Sequence, residues 1–346
     1  MQRKAATEIL TRHVGVKIKI AGKDITKDIS PFLKSVSYED VETGETDTCE
    51  IELQDVNRLF IADWFPKRGD IMELELFREN WQGDGQIETL PLGIWELDDI
   101  TNSYPPNVAK VKGNSCPSNS ALRQVDESKS WENVKLSKIA SDIAAKAGVE
   151  LFFEAKDDPQ IKRAEQAELS AMAFLEKLCK DNGLVLKFAD GKLIIFDEEE
   201  LDAQEPVSTL NYDLSVIKQF RANATLSEIY KSCEVSYKHG KKDELFQGKF
   251  EDKTKTDGKV LKINQKVENQ AEAEKLAKKK LREKNKKEIT LQITTVGRFE
   301  YLSGQVIELV DHGFYDGRYL IERATHKVGS GGYEVSMELR KCLTGY

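Results

Sequence analysis

The chain has 346 residues, with 52 Lys and Arg against 60 Asp and Glu for a formal net charge of −8, and its mean hydropathy is −0.52. That length bounds the chain at two or three domains, and the acidic balance disfavours a protein that coats nucleic acid. Near-apolar stretches such as Leu184–Phe188 and Leu193–Phe196 fall far short of the roughly 20 residues of a membrane-spanning helix. Met1 to His13 is polar and charged, so no secretion signal is expected. Cys49, Cys116, Cys179, Cys233 and Cys342 are odd in number and widely spaced, which reads as reduced thiols in a chain made in the cytoplasm.

The first third alternates in hydropathy. Val14, Val16, Ile18 and Ile20 are interleaved with Gly15, Lys17 and Lys19, and Cys49, Ile51 and Leu53 with Glu50 and Glu52. This is the period of half-buried strands. Further strands are expected at Ile71–Phe77, Gly93–Ile100 and Val108–Lys112, giving a barrel or a sandwich.

Over residues 121–204 the period changes. Leu136, Ile139, Ala140, Ile143 and Ala144 mark one helical face that ends at Gly148. Ser170 is placed to cap a second helix carrying Phe174, Leu175, Leu178 and Cys179. Asp190-Gly191, between two apolar runs, predicts a hairpin. A small α+β unit follows from these signals, and the acidic run Asp197–Asp202 leads out of it.

Strand patterns return at Leu214–Arg221, Ser232–Tyr237, Glu288–Thr294, Val306–Leu309, Arg318–Arg323 and Tyr333–Leu339. A helix with an Ala/Leu seam is expected from about 269 to 287, and the Lys-rich segment 238–262, opening with His239-Gly240-Lys241-Lys242, reads as an exposed hairpin or loop. The two β-regions echo one another. Gly69-Asp70-Ile71-Met72-Glu73-Leu74 matches Gly304-Gln305-Val306-Ile307-Glu308-Leu309, and Gly93-Ile94-Trp95-Glu96-Leu97 matches Gly317-Arg318-Tyr319-Leu320-Ile321. A duplicated β-module is expected, with Gly69, Gly93, Gly304 and Gly317 at equivalent corners. Three such chains around an axis would present six similar surfaces.

No constellation points to catalysis. His13, His239, His312 and His326 are scattered and lack partners at metal-ligand spacing. There is no nucleophile elbow, no phosphate-cradling loop and no H-E-x-x-H, so no catalytic, cofactor-binding or metal-binding residue is assigned. Arg68-Gly69-Asp70 is explained by a tight turn, and the sequon Asn223-Ala224-Thr225 carries no meaning without secretion. The basic stretch Lys275–Lys287 could neutralise phosphates. Four glutamates within residues 272–288 and the absence of interleaved aromatics favour a solvated helix face instead.

The C-terminal sequence, Tyr301-Leu302-Ser303-Gly304-Gln305-Val306, then Asp316-Gly317-Arg318-Tyr319-Leu320-Ile321, Thr325-His326 and Gly332-Tyr333 through Glu338-Leu339, resembles the phage late control gene D family of contractile-tail baseplate hub proteins. Ser170-Ala171-Met172-Ala173-Phe174-Leu175-Glu176-Lys177-Leu178 with Gly183 is similar to the helix before a hairpin in the hub part of type VI secretion spike proteins. Relatives commonly carry Ser-Asp where this chain has Ser170-Ala171. The resemblance implies a mainly β, α+β fold: a tail at 1–13, a first tube-like β-barrel at 14–120, the small α+β domain at 121–204, and a second tube-like barrel at 205–346 with the helix inserted. It further implies a non-enzymatic homotrimer forming a pseudo-hexameric ring in the tail baseplate of a phage or tailocin-like particle. Such a ring joins the hexameric tail tube protein to a trimeric spike protein beside other baseplate proteins, with no cofactor, membrane span or specific nucleic acid. A tail-associated cell-wall hydrolase and a nucleic-acid-binding module using helix 275–287 are the alternatives.

Overall fold

The computed structural model describes residues 11–43, 45–116, 120–124, 128–239 and 244–346; most of the N-terminal tail and the turn residues Gly240-Lys241-Lys242 lie outside them. The first β-region comprises β1 (His13–Ile20), β2 (Lys23–Asp24), the short α1 (Thr26–Ile29), β3 (Leu33–Val41), β4 (Thr48–Gln54), β5 (Ile71–Glu79), β6 (Ile87–Ser103) and β7 (Val108–Asn114). Its neighbour order is β3-β4-β7-β6-β5-β1. Alternation works as the sequence implies: Val16, Ile18, Ile51, Leu53, Met72, Leu74 and Leu76 are buried. Each such side chain contributes about 1.5–3 kcal/mol by leaving water.

The middle unit contains β8 (Lys129–Lys135), α2 (Leu136–Ala147), β9 (Glu150–Phe153), β10 (Gln160–Gln166), α3 (Ala171–Asp181), β11 (Leu184–Ala189), β12 (Lys192–Asp197) and α4 (Glu198–Ala203). Gly148 ends α2 at φ +68°, and the Ser170 hydroxyl accepts the Ala173 N–H at 3.3 Å to start α3. Asp190 and Gly191, at φ +48° and +71°, turn the β11–β12 hairpin. Both helices pack Ile139, Ile143, Phe174 and Leu175 onto Leu186, Leu193 and Ile195.

The last region contains β13 (Ser208–Asn211), β14 (Ile217–Ala224), β15 (Tyr230–His239), β16 (Glu244–Glu251), β17 (Lys259–Asn264), α5 (Gln270–Asn285), β18 (Ile289–Val296), β19 (Val306–Val310), β20 (Gly317–Gly329) and β21 (Gly332–Lys341). Here the expectation for 238–262 holds in part: β15 and β16 pair as an antiparallel hairpin, whose turn residues 240–243 lie outside the described residues, but the segment is more than a loop. β15, β16 and β17 form a separate three-stranded sheet, and α5 covers it with Ala273, Ala277 and Leu281 against Cys233 and Val235. The polar alternation that reads as a loop is the outer face of this small sheet.

Duplication is visible in the pairing. In the last region the order is β14-β18-β21-β20-β19-β13, so β3, β4, β7, β6 and β5 correspond to β14, β18, β21, β20 and β19. The irregularities recur as well. The β3–β4 register shifts between Leu33 and Ser35 and the β14–β18 register between Ile217 and Gln219. The β6–β7 register shifts between Leu97 and Asp99, as β20–β21 does between Ile321 and Arg323. The halves also differ: β1 runs antiparallel to β5, whereas β13 runs parallel to β19, and the β5–β6 register shift between Leu74 and Glu75 has no counterpart in β19–β20.

Neither half closes into a barrel among the described residues, which corrects the expectation of two barrels. The edge that would have to return to its own half, β3, pairs instead with residues 323–329 of β20. The two halves therefore form one 13-stranded sheet over one continuous apolar core containing Val36, Trp95, Tyr319 and Val335.

Candidate functional site

The β20–β3 junction is where the three parts of the chain meet. Asp40, near the end of β3, is buried and accepts from the Lys187 ammonium of β11 at 2.5 Å. It also accepts from the Ser303 backbone N–H and hydroxyl, each at 2.7 Å. Lys187 donates on to the Ser303 oxygen at 2.7 Å. Beside them, Asp47 accepts the Val41 N–H at 2.9 Å, and burial pushes its carboxyl up to about 7. Across the junction His326 opposes Tyr38. His326 is buried between the Tyr333 hydroxyl at 2.7 Å on Nδ1 and the Tyr301 carbonyl at 2.8 Å on Nε2. Burial lowers its pKa, so the ring is neutral and structural.

A second polar cluster ties α4 and α5 to β21. Asp202 accepts from Arg340 at 2.7 Å and Arg282 at 2.6 Å. Lys286 pairs with Glu198 at 2.8 Å. Burial works against ionisation of Glu198, but Lys286, Arg340 and Arg282 outweigh it and hold the carboxyl at about 2. Glu42 is buried nearby with one unpartnered oxygen, and desolvation raises it to about 8. A buried arginine needs this many acceptors, since desolvation exceeds the attraction of a single partner.

Sequence reasoning did not single out Asp40, Lys187 or Arg340, and it took in Ser303, Asp202 and Arg282 only as members of longer runs. The acidic run at 197–202 was the available signal, because it forms α4 and faces those arginines. The four turn glycines adopt positive φ: Gly69 +87°, Gly93 +93°, Gly304 +78° and Gly317 +125°. Gly69 donates to the Leu97 carbonyl at 2.8 Å and Gly304 to the Ile321 carbonyl at 2.8 Å. The remaining histidines with described side chains lie apart: His13 rests against Phe77, and His312 stacks on Phe220. Among the described residues no group of three or more His, Cys, Asp or Glu could hold a metal, and no helix is long and apolar enough to cross a membrane.

The basic helix is largely committed within the chain. Lys275 pairs with Asp157, Lys278 with Glu199 at 3.0 Å, Arg282 with Asp202, and Lys284 with Glu228 at 2.8 Å. Lys279 donates to the Asn182 carbonyl. These contacts position α5 on the middle unit and leave fewer charges to meet phosphate.

Comparison with known proteins agrees with a virion structural role. The probable baseplate hub protein of Escherichia phage 186 is 26% identical over 179 residues, which take in 51% of this chain and 43% of that protein. The match thus spans less than half the length of that curated relative. The 43 kDa tail protein of prophage MuSo2 from Shewanella oneidensis superposes at a TM-score of 0.71 with 13% identity, covering 95% of this chain and 98% of that one. An Escherichia coli type VI secretion component, described as similar to the T4 tail proteins gp27 and gp5, superposes at 0.58 with 11% identity over 97% of this chain and 79% of that one. At these identities the two superpositions establish the fold alone. The late control and secretion-spike resemblance read from the sequence agrees with all three. Residues 122–340 match the YQBQ-like family profile, and the chain belongs to that family.

Proposed function

We propose that the chain is a non-enzymatic baseplate hub subunit of a contractile tail. Three copies form a ring of six similar β-lobes that joins a hexameric tail tube to a trimeric spike. The observation that carries this reading is the repeated strand order with matching register shifts in the two halves. A chain with two equivalent lobes can present sixfold-like surfaces from a threefold assembly, and this is what a symmetry adaptor requires. The Asp40–Lys187–Ser303 cluster supports it mechanically, because it makes the two lobes and the middle unit one load-bearing body. Turn glycines Gly69, Gly93, Gly304 and Gly317 set equivalent corners of the two lobes in this reading.

Light scattering with negative-stain imaging of the same peak tests the proposal. A mass three times the 39.2 kDa chain, with ring views of six similar lobes around a channel, is expected. A stable dimer without a channel would overturn it, as would release of fragments from purified peptidoglycan.

A further inference from the structure

The junction inside the chain is a template for one between chains. β20 and β6 are equivalent strands, and each runs past its hairpin partner. Beyond Ile321, β20 takes β3 as a neighbour. Beyond Leu97, β6 pairs with β7 on one side, and among the described residues no strand pairs with its other side. The equivalent of β3 is β14, whose only strand partner among the described residues is β18. Two complementary edges are therefore open, one of each kind, separated along the sheet by six intervening strands.

We propose that residues 98–104, along and just past the end of β6, pair antiparallel with residues 220–226, along and just past the end of β14, of a second copy of this chain, repeating the β20–β3 register. This deepens the ring reading and rests on it. The register follows from the matched irregularities. Aligning Leu97/Asp99 on Ile321/Arg323 and Ile217/Gln219 on Leu33/Ser35 converts the observed pairs directly. Ala324 opposite Asp40 becomes Ile100 opposite Ala224, and Thr325 opposite Glu39 becomes Thr101 opposite Asn223.

Burial supports the same alignment. Tyr104 and Phe220 are 77% and 37% exposed in the single chain, and Leu226 is 81% exposed. In the internal junction their counterparts are Val328, Val36 and Glu42, of which Val36 is 1% exposed and Glu42 4%. The Glu42 N–H there donates to the Glu322 carbonyl at 3.0 Å, so Leu226 is placed to donate to Asp98. An unpaired strand edge beside exposed apolar side chains is a surface that folded chains ordinarily cover. Because the two edges differ, the contact is head-to-tail, and successive copies close when the rotation permits. Each lobe then grips the next in the same sense, inside the chain and between chains.

The test is a paired-cysteine crosslink in the full chain. Thr101 and Asn223 are both exposed, so T101C with N223C leaves the core untouched, and directly opposed strand residues lie within disulfide reach. On mild oxidation this pair is expected to give covalent dimers and trimers, several-fold more than either single variant. The shifted pair T101C with R221C should crosslink poorly, being two residues out of register. Mass is read on the same samples under reducing conditions. A trimer that crosslinks poorly, or only through the shifted pair, overturns this register and leaves the ring standing. A monomer at every concentration with no crosslink overturns both.

Discussion

Ser303 donates twice to Asp40, from its backbone N–H and its hydroxyl, each at 2.7 Å and across 263 positions of chain. One carboxylate thereby fixes the loop before β19 to the end of β3, while Lys187 brings in the middle unit. Removing Asp40 strands the Lys187 ammonium, whose side chain is only 19% exposed. Loss of one partner of a buried pair costs about 3–5 kcal/mol. D40A is expected to lose stability in that range by urea denaturation, and D40A with K187M to recover part of it. A cost below about 1 kcal/mol for D40A would mean that the cluster does not bind the three parts together.

Buried carboxyls set a pH dependence of the opposite sign to an ordinary ion pair. Desolvation raises Glu42 from 4.5 to about 8 and Asp47 from 3.8 to about 7. Each holds a proton in the folded chain at a pH where the unfolded chain has released it. Their contribution is complete below the unfolded values and is lost as the pH rises through about 7 to 8. Glu198, held at about 2 by cations despite its burial, contributes above 4.5 and loses this only as the pH falls through about 2. Melting temperature should therefore decline from mildly acidic to mildly alkaline pH at constant ionic strength. E42Q is expected to flatten that decline; a slope identical to the wild type would exclude Glu42 as its origin.

Strand positions with strict alternation were legible in the sequence, among them β4, β5 and β7, because one face meets the core and the other water. The caps at Ser170 and Gly148 and the Asp190-Gly191 turn were legible for the same local reason. β3 was not, since Leu33–Val41 mixes Val36 with Lys34, Glu39 and Asp40, and these polar residues find their partners on β4, β20, β11 and the Ser303 loop. The echo of Gly69–Leu74 in Gly304–Leu309 disclosed the duplication. It could not disclose that the halves share a strand junction rather than closing separately, because that depends on which edge β3 finds.

Close approach of α5 to its small sheet depends on Gly248. A Cβ there would lie 2.2 Å from the Ala273 carbonyl carbon and from the Glu274 nitrogen, both backbone atoms that cannot swing aside. G248A is expected to force the helix off β16 and to cost about 1–3 kcal/mol, as overpacking of a close contact does. Hydrogen exchange should quicken in 244–251 and 270–285 while the Asp40 junction keeps its protection. Unchanged exchange in the helix would show that the sheet yields without loss.

Gly317 begins β20 at φ +125°, a conformation that L side chains rarely adopt. Its surroundings are not crowded: a Cβ would meet only the Lys341 side chain, at 3.5 Å. The penalty for a β-branched residue is therefore backbone strain rather than collision, and strain of this kind costs about 1–3 kcal/mol. G317V should lower the melting temperature accordingly. Gly331 is the matched control, because it has open space around it and no positive φ, so G331A should leave the transition where it is. Equal melting temperatures for G317V and the wild type would mean that the corner relaxes to accept a side chain, and that the glycine is not what fixes the turn into β20.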